Sequence, residues 1–278
     1  MASHKQRAGF VERSLAAFAE VLELADTAER LSAHRGLLQS LDPRTKIAGA
    51  LLLVGAAVAA HHAVVPLALG GVAMMLAALS RIPLRLVALR IWLPVLFFTG
   101  VIALPAIFTT PGEARFRLPL LGWAATEQGL RTAALLLVRA ETCATVVVLV
   151  VLSTPWARLL KALRMLGLPA MAVAILGMTH RYIFVLLGLS QEAFEARRAR
   201  LVGPLPASGQ RRLAAASAGA LLGKSLQLAN DVHSAMQARG FRGAALSLDP
   251  FAWRGRDGWA LAVFMGVAAT ALLVDHRL

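Results

Sequence analysis

From Ile47 to Leu79 the chain runs for 33 residues without one Asp, Glu, Lys or Arg. As a single helix that run would reach ~50 Å, against a hydrocarbon core of ~30 Å. His61-His62 and Pro66 break it, so it predicts two short spans folded back as a hairpin. Ile91 to Thr110 is a third, uncharged span. Thr132 to Leu152 is a fourth, interrupted only by Arg139 and Glu141, and Trp259 to Val274 is a last one between Asp257 and Asp275. Composition agrees: 58% of residues are hydrophobic and 16% charged, where soluble domains run at about 45–50% and about 25%. The expected fold class is an all-α membrane protein with about five transmembrane helices.

The charges that remain are lopsided, 29 Lys and Arg against 15 Asp and Glu. Such an excess suits nucleic acid, but cytoplasmic loops of membrane proteins carry it as well. Residues 1–46, 81–90 and 153–256 hold seven, three and fourteen Lys/Arg, while 111–130 holds two and the turn at 61–63 none. That asymmetry places the N-terminus and residues 153–256 in the cytoplasm and the C-terminus outside. Met165 to Ser190 is apolar apart from His180-Arg181; it reads as a helix entering the inner membrane boundary and continuing into the cytoplasm. Four regions follow: a cytoplasmic segment 1–46, a four-span region 47–152, a cytoplasmic region 153–256, and a final span with its tail, 257–278. Phe10, Val11, Leu15, Phe18, Leu22 and Ala25 sit at helical spacing, an amphipathic helix that lies on the membrane or packs on its own protein. Residues 1–46 hold no unbroken apolar stretch of the kind a cleavable signal needs, and the single Cys143 can make no intrachain disulfide.

The 153–256 region divides into three helices. A short one over roughly 155–166 starts at Ser153-Thr154-Pro155 and ends at Gly167-Leu168-Pro169. A long one over roughly 170–202 stops at Gly203-Pro204-Leu205-Pro206, and a second over roughly 209–239 ends at Gly240. Leu222, Leu226, Ala229 and Met236 share one face of the latter. Ala215, Gly219 and Gly223 recur every fourth residue on another, a spacing that lets two helices approach closely, so the long helices are expected to cross there. Each long helix ends near a similar string, Ala199-Arg200-Leu201 and Ala238-Arg239-Gly240. Alanine keeps the backbone close to a docked surface, while arginine reaches out with five donors in a planar fork, suited to carboxylates or helix carbonyls of a partner.

Catalytic signatures are missing. Gly219-Ala-Leu-Leu-Gly223-Lys224-Ser225 is one residue short of a phosphate loop and no strand precedes it. No zinc-protease, dithiol or serine-hydrolase motif occurs. His61-His62 reads as interfacial rather than metal-binding, so no metal site is expected. Arg139 and Glu141, within the fourth span, are costly there. Two residues apart they do not face one another, so their partners belong to other helices or another subunit, as a packing pair or as an ion pathway. The latter would make the chain a self-contained secondary ion transporter. A nucleic-acid role for the basic region lacks aromatic residues and any recognition motif.

Leu41-Asp42-Pro43-Arg44-Thr45-Lys46 before the first span and Arg81-Ile82-Pro83 after the second resemble the transmembrane T component of energy-coupling factor (ECF) importers, the CbiQ-type subunit of cobalt importers above all. So do Thr179-His180-Arg181-Tyr182-Ile183-Phe184-Val185-Leu186, Ala196-Arg197-Arg198-Ala199-Arg200 and Met236-Gln237-Ala238-Arg239-Gly240-Phe241. The resemblance implies a non-catalytic scaffold of the cell (inner) membrane. Its three cytoplasmic helices would be coupling helices, two of them long, crossed and docked by their ends into grooves of two ABC-type ATPases. It implies Arg200 and Arg239 as the coupling side chains, flanked by Ala199, Ala238 and Gly240. Leu201 replaces the usual glycine of the first motif, so Arg198, with Arg197 beside it, competes with Arg200. The implied partners are the ATPases, which hold ATP and magnesium, a CbiM-type substrate-binding subunit, which holds the cobalt ion, a small CbiN-type accessory subunit, and lipid. No cofactor is expected on this chain.

Overall fold

The computed structural model describes residues 29, 31–32, 36–109, 114–117, 124–199, 206–241 and 255–277. The amphipathic helix expected near the N-terminus lies outside them. The helices are α1 (Pro43–Ala59), α2 (Val64–Leu79), α3 (Leu84–Val87), α4 (Leu93–Thr109), α5 (Glu127–Leu152), α6 (Trp156–Met165), α7 (Ala170–Arg198), α8 (Ala207–Ala238) and α9 (Gly255–Arg277). The chain is an all-α membrane protein. A short antiparallel ribbon, β1 (Ala114–Arg117) with β2 (Ala124–Thr126), joins α4 to α5. Two compact units result, one built on Glu29–Ala162 and Pro250–Leu278, the other on Leu163–Asp249.

In the first unit α5 packs against α1, α2 and α4, and α1 also packs against α9. Lipid is as apolar as leucine, so close packing and polar bonds, rather than water, hold spans together. The packing surfaces are accordingly small. Val65, Leu69, Ala73 and Ala77 form a buried row of every fourth residue on α2, and Gly49, Leu53, Ala56 and Ala57 are buried on α1. A methyl group at Gly49 would overlap the Phe264 ring of α9, so this glycine sets the α1–α9 spacing. Thr142 of α5 donates to the Pro66 carbonyl of α2 at 2.7 Å.

Polar bonds tie this bundle at two levels. At one end the Asp42 carboxylate caps α1 by accepting the Arg44 N–H at 2.9 Å, with Pro43 in the first turn where its missing N–H costs nothing. The Asp42 N–H donates to Asp257 Oδ1 of α9 at 2.8 Å. Lys46 Nζ donates to the Ser153 carbonyl and to Thr154 Oγ1, both at 2.9 Å. The backbone N–H of Leu38 and the Gln39 side chain attach to Ser80 at the end of α2. At the other end Arg139 of α5 donates to the Ala60 carbonyl at 2.6 Å, and Asp275 of α9 accepts the backbone N–H groups of His61 and His62. The register is consistent. Fourteen residues separate Lys46 from Ala60 and fourteen separate Arg139 from Ser153, ~21 Å of apolar helix in each antiparallel partner.

Between α3 and α4 the helix widens into a π-turn, Ala88–Trp92, directly before Pro94, whose ring excludes the ordinary bond to the carbonyl four residues back. Trp92 Nε1 then donates to Thr145 Oγ1 at 3.0 Å, and Thr145 in turn donates to the Glu141 carbonyl. Leu93, Leu96, Phe97, Phe98, Val101 and Ile102 stay exposed, a surface for lipid or another membrane subunit.

In the second unit α7 and α8 are the two long helices. By length and composition Ala170–Ala196 is able to cross a membrane, as are Glu127–Leu152 and Gly255–Arg277, and its apolar stretch is not buried within the chain. Val64–Leu79 and Leu93–Pro105 are shorter apolar helices.

Candidate functional site

The end of α8 is built by a specific backbone device. Arg239 is its C-cap and Gly240 follows at φ +77°. The Gly240 N–H donates to the Gln237 carbonyl at 2.9 Å and the Phe241 N–H to the Met236 carbonyl at 3.0 Å. This is a Schellman stop, whose left-handed position favours glycine because a Cβ there crowds the following carbonyl. The glycine of Ala238-Arg239-Gly240 therefore has a structural job: it ends the helix so that Arg239 stands at its tip. Ala238, Arg239 and Gly240 are exposed, and among the described residues the Arg239 guanidinium makes no ion pair or hydrogen bond. Its charge stands at the end of a long helix.

The other string is only partly described. Arg197 and Arg198 lie in the last turn of α7 and Ala199 follows, exposed. Arg200 and Leu201 lie outside the described residues, as does most of the stop over 203–206.

Inside this unit α7 and α8 face one another across a groove of about 540 Å³. Met171, Met178 and Tyr182 line it from α7, with Leu228, Val232 and Met236 from α8. This corrects one expectation. Ala215, Gly219 and Gly223 are exposed, and a Cβ added at either glycine meets nothing within 4 Å. The facing row on α8 lies further along, on branched and sulfur-containing side chains, because the groove is wide enough to admit them. Of the face that joins Leu222, Leu226, Ala229 and Met236, only Ala229 and Met236 reach the groove; Leu222 and Leu226 are exposed.

The charged pair of the fourth span separates. Arg139 bonds to the Ala60 carbonyl, level with the turn between α1 and α2. Both Glu141 carboxylate oxygens are buried without a hydrogen-bond partner among the described residues. At the same turn the His61 and His62 rings lie 3.1 and 3.2 Å from the Asp275 carboxylate. The two backbone N–H groups there hold that carboxyl well below the usual carboxylate range. No group of three metal-ligating side chains occurs among the described residues.

With this geometry in hand, comparison with known proteins is decisive. The profile of the CbiQ family, cobalt transport proteins, matches residues 34–248. The chain belongs to the CbiQ family. An uncharacterised protein of Methanocaldococcus jannaschii is 31% identical over 220 residues, 77% of this chain and 75% of that one. The cobalt transport protein CbiQ of Rhodobacter capsulatus is 30% identical over 166 residues, 59% of this chain and 63% of its own length. The matched CbiQ region takes in α1 to α8, including Arg239 and the groove, and stops before α9.

Sequence reasoning missed the buried polar layer of this CbiQ chain. Asp257 and Asp275 stood out only as flanks of the last span, and Lys46 only as part of a motif. One signal was present: a lysine abutting a charge-free run must either turn away to water or find acceptors inside. Which of the two happens depends on Ser153 and Thr154, more than a hundred residues away.

Proposed function

We propose that this CbiQ-family chain is the T component of an ECF-type importer, the membrane scaffold that passes motion from two cytoplasmic ABC-type ATPases to a substrate-binding membrane subunit, with cobalt ion as the cargo. The observation that carries this reading is Arg239: a guanidinium without a partner among the described residues, at the tip of a 32-residue helix. A helix of that length is ~48 Å of stiff lever. Its arginine fork suits the carboxylates or helix-end carbonyls of a partner groove. A second contact would come from Arg200 or Arg198 at the end of α7. On this reading ATP and magnesium belong to the ATPases and the cobalt ion to a CbiM-type subunit, with a CbiN-type subunit as an accessory. The chain itself is non-catalytic. The exposed apolar surfaces of α4, and of α7 where it enters the inner membrane boundary, are where lipid and the other membrane subunits would lie, with the N-terminus and the rest of the α6–α8 arm cytoplasmic.

ATP binding would draw the two ATPases together and displace the ends of α7 and α8, and the groove side chains would carry that motion toward the spans. The rival reading, a self-contained ion transporter working through Arg139 and Glu141, keeps Glu141, whose carboxylate has no hydrogen-bond partner among the described residues, but finds the guanidinium of Arg139 engaged by the Ala60 carbonyl.

The test is affinity purification of the tagged chain in mild detergent, with and without Arg239→Glu and Arg200→Glu. Charge reversal should remove an ABC ATPase that the wild type retains, with membrane insertion unchanged, because a repulsive contact replaces an attractive one. A wild-type chain that purifies without any ATPase, yet moves an ion in liposomes, would overturn the proposal.

A further inference from the structure

The buried polar layer contains a side chain whose placement stability alone does not explain. Lys46 is 3% exposed, and among the described residues its ammonium is held by two acceptors, the Ser153 carbonyl and Thr154 Oγ1. Those acceptors are not arbitrary. Ser153 is the C-cap of α5 and Thr154 lies two residues before α6, so they form the bend at which the spans become the arm. The lysine comes from the first turn of α1, whose cap, Asp42, is bonded through its N–H to Asp257 at the start of α9. One cluster thus joins the beginning of α1, the beginning of α9 and the root of the α6–α8 arm.

Its charge is costly. Burial, helped by the Arg158 guanidinium of α6 and opposed by the Asp42 carboxylate, lowers the Lys46 pKa from 10.5 to about 8. The folded chain therefore disfavours the charged form, and an apolar side chain of similar shape is often no worse for stability in such a place. Departures of this kind from ordinary core composition concentrate at functional positions. In return the ammonium gives two charge-assisted bonds, roughly twice as strong as neutral ones, onto the bend that joins α5 to α6.

We propose that Lys46 is the joint that couples the arm to the spans: its ammonium clasps the Ser153–Thr154 bend, so that movement of α6 carries α1 with it and, through Asp42 and Asp257, α9. The proposal rests on the T-component reading above and adds the residue that would transmit its stroke. Lys46 touches no cargo; it is a positioning residue. Two consequences separate it from a merely structural lysine. Deprotonation weakens the clasp, so coupling declines as pH rises through about 8, while the same titration makes the fold more stable, because the unfolded chain then binds more protons than the folded one. Removing either side of the clasp should have the same effect.

The experiment compares wild type, Lys46→Met, Lys46→Arg and Thr154→Val, each co-expressed with its ATPases and substrate-binding subunit, by ions transported per ATP hydrolysed between pH 7 and 9. Lys46→Met should lower that ratio about tenfold, the scale of an ordinary coupling energy, with the ATPases still bound through Arg239. Thr154→Val, which keeps the shape and removes one acceptor, should lower it in the same direction. Lys46→Arg, charged throughout, should retain coupling and flatten the pH dependence. Wild-type ratios in both Lys46→Met and Thr154→Val, or one shared pH profile for wild type and Lys46→Arg, would overturn the joint. Hydrogen exchange on the full chain alone reads the clasp without any partner. Faster exchange in the first turn of α6 in Lys46→Met supports it, and unchanged exchange overturns it. Failure of the ATPases to co-purify with wild type would instead count against the T-component reading.

Discussion

Single residues in this CbiQ chain explain themselves by what the backbone demands of them. Three helices end in the same way, α2 at Arg81, α6 at Gly167 and α8 at Gly240, each with a positive φ and bonds back to the last turn. Glycine fills two of these positions. The third is an exposed arginine at φ 55°, which costs ~1–2 kcal/mol that a glycine would not. Arg81→Gly should therefore raise the stability of the first unit by about 1 kcal/mol, read as a higher thermal midpoint in detergent; a lower midpoint would mean that the guanidinium makes a stabilising contact of its own. Sequence reading found Arg81-Ile82-Pro83 as a motif and Gly240 as a helix end. It could not tell that Gly240 and Arg81 occupy equivalent stereochemical positions, because the positive φ appears only when the following residue folds back on the turn.

At the scale of elements, helix boundaries and their faces differ in how far they can be read. The breaks at His61-His62, Gly167-Leu168-Pro169 and Gly240 fall where the structure ends its helices, since capping residues, proline and glycine act locally. Which small residues lie between helices is not local. Gly219 and Gly223 have the spacing of a crossing but face open space, whereas Gly49 is packed against Phe264. A prediction belongs to that contact. Gly49→Ala should destabilise the bundle by ~1–3 kcal/mol through overpacking, and Phe264→Ala should relieve part of that loss. A double-mutant cycle in thermal unfolding measures the coupling, and strict additivity would show that α1 and α9 do not meet there. Ala170–Ala196 makes a similar point, because length and hydropathy qualify it as a span, while the arginine strings that a full crossing would put on the wrong side favour a helix that enters the inner boundary and continues into the cytoplasm.

Across the described residues of the first unit, buried polar groups gather at two levels. Asp42, Lys46, Ser153, Thr154 and Asp257 are buried at one end of the bundle and Asp275 at the other, with ~21 Å of apolar helix between the levels. The lysine gives this layer a pH signature in stability. Its folded pKa, about 8, lies below its ordinary 10.5, so between those values the unfolded chain holds the extra proton and stability rises with pH. Wild type should gain stability relative to Lys46→Met from pH 8 to 10, and a parallel pair of pH–midpoint curves would show that the ammonium is not buried. The sequence by itself determined the membrane class, the order of the long helices and the stop of α8 at Gly240. Hydropathy, capping and charge asymmetry are properties of contiguous residues, and they need no partner to be read. Only the tertiary structure decided which buried polar groups meet, which small residues are truly packed, and that Arg139 bonds the turn between α1 and α2. Those depend on residues brought together from 41 to 215 positions apart, and a hydrogen bond or a close packing contact exists only once both sides are in place.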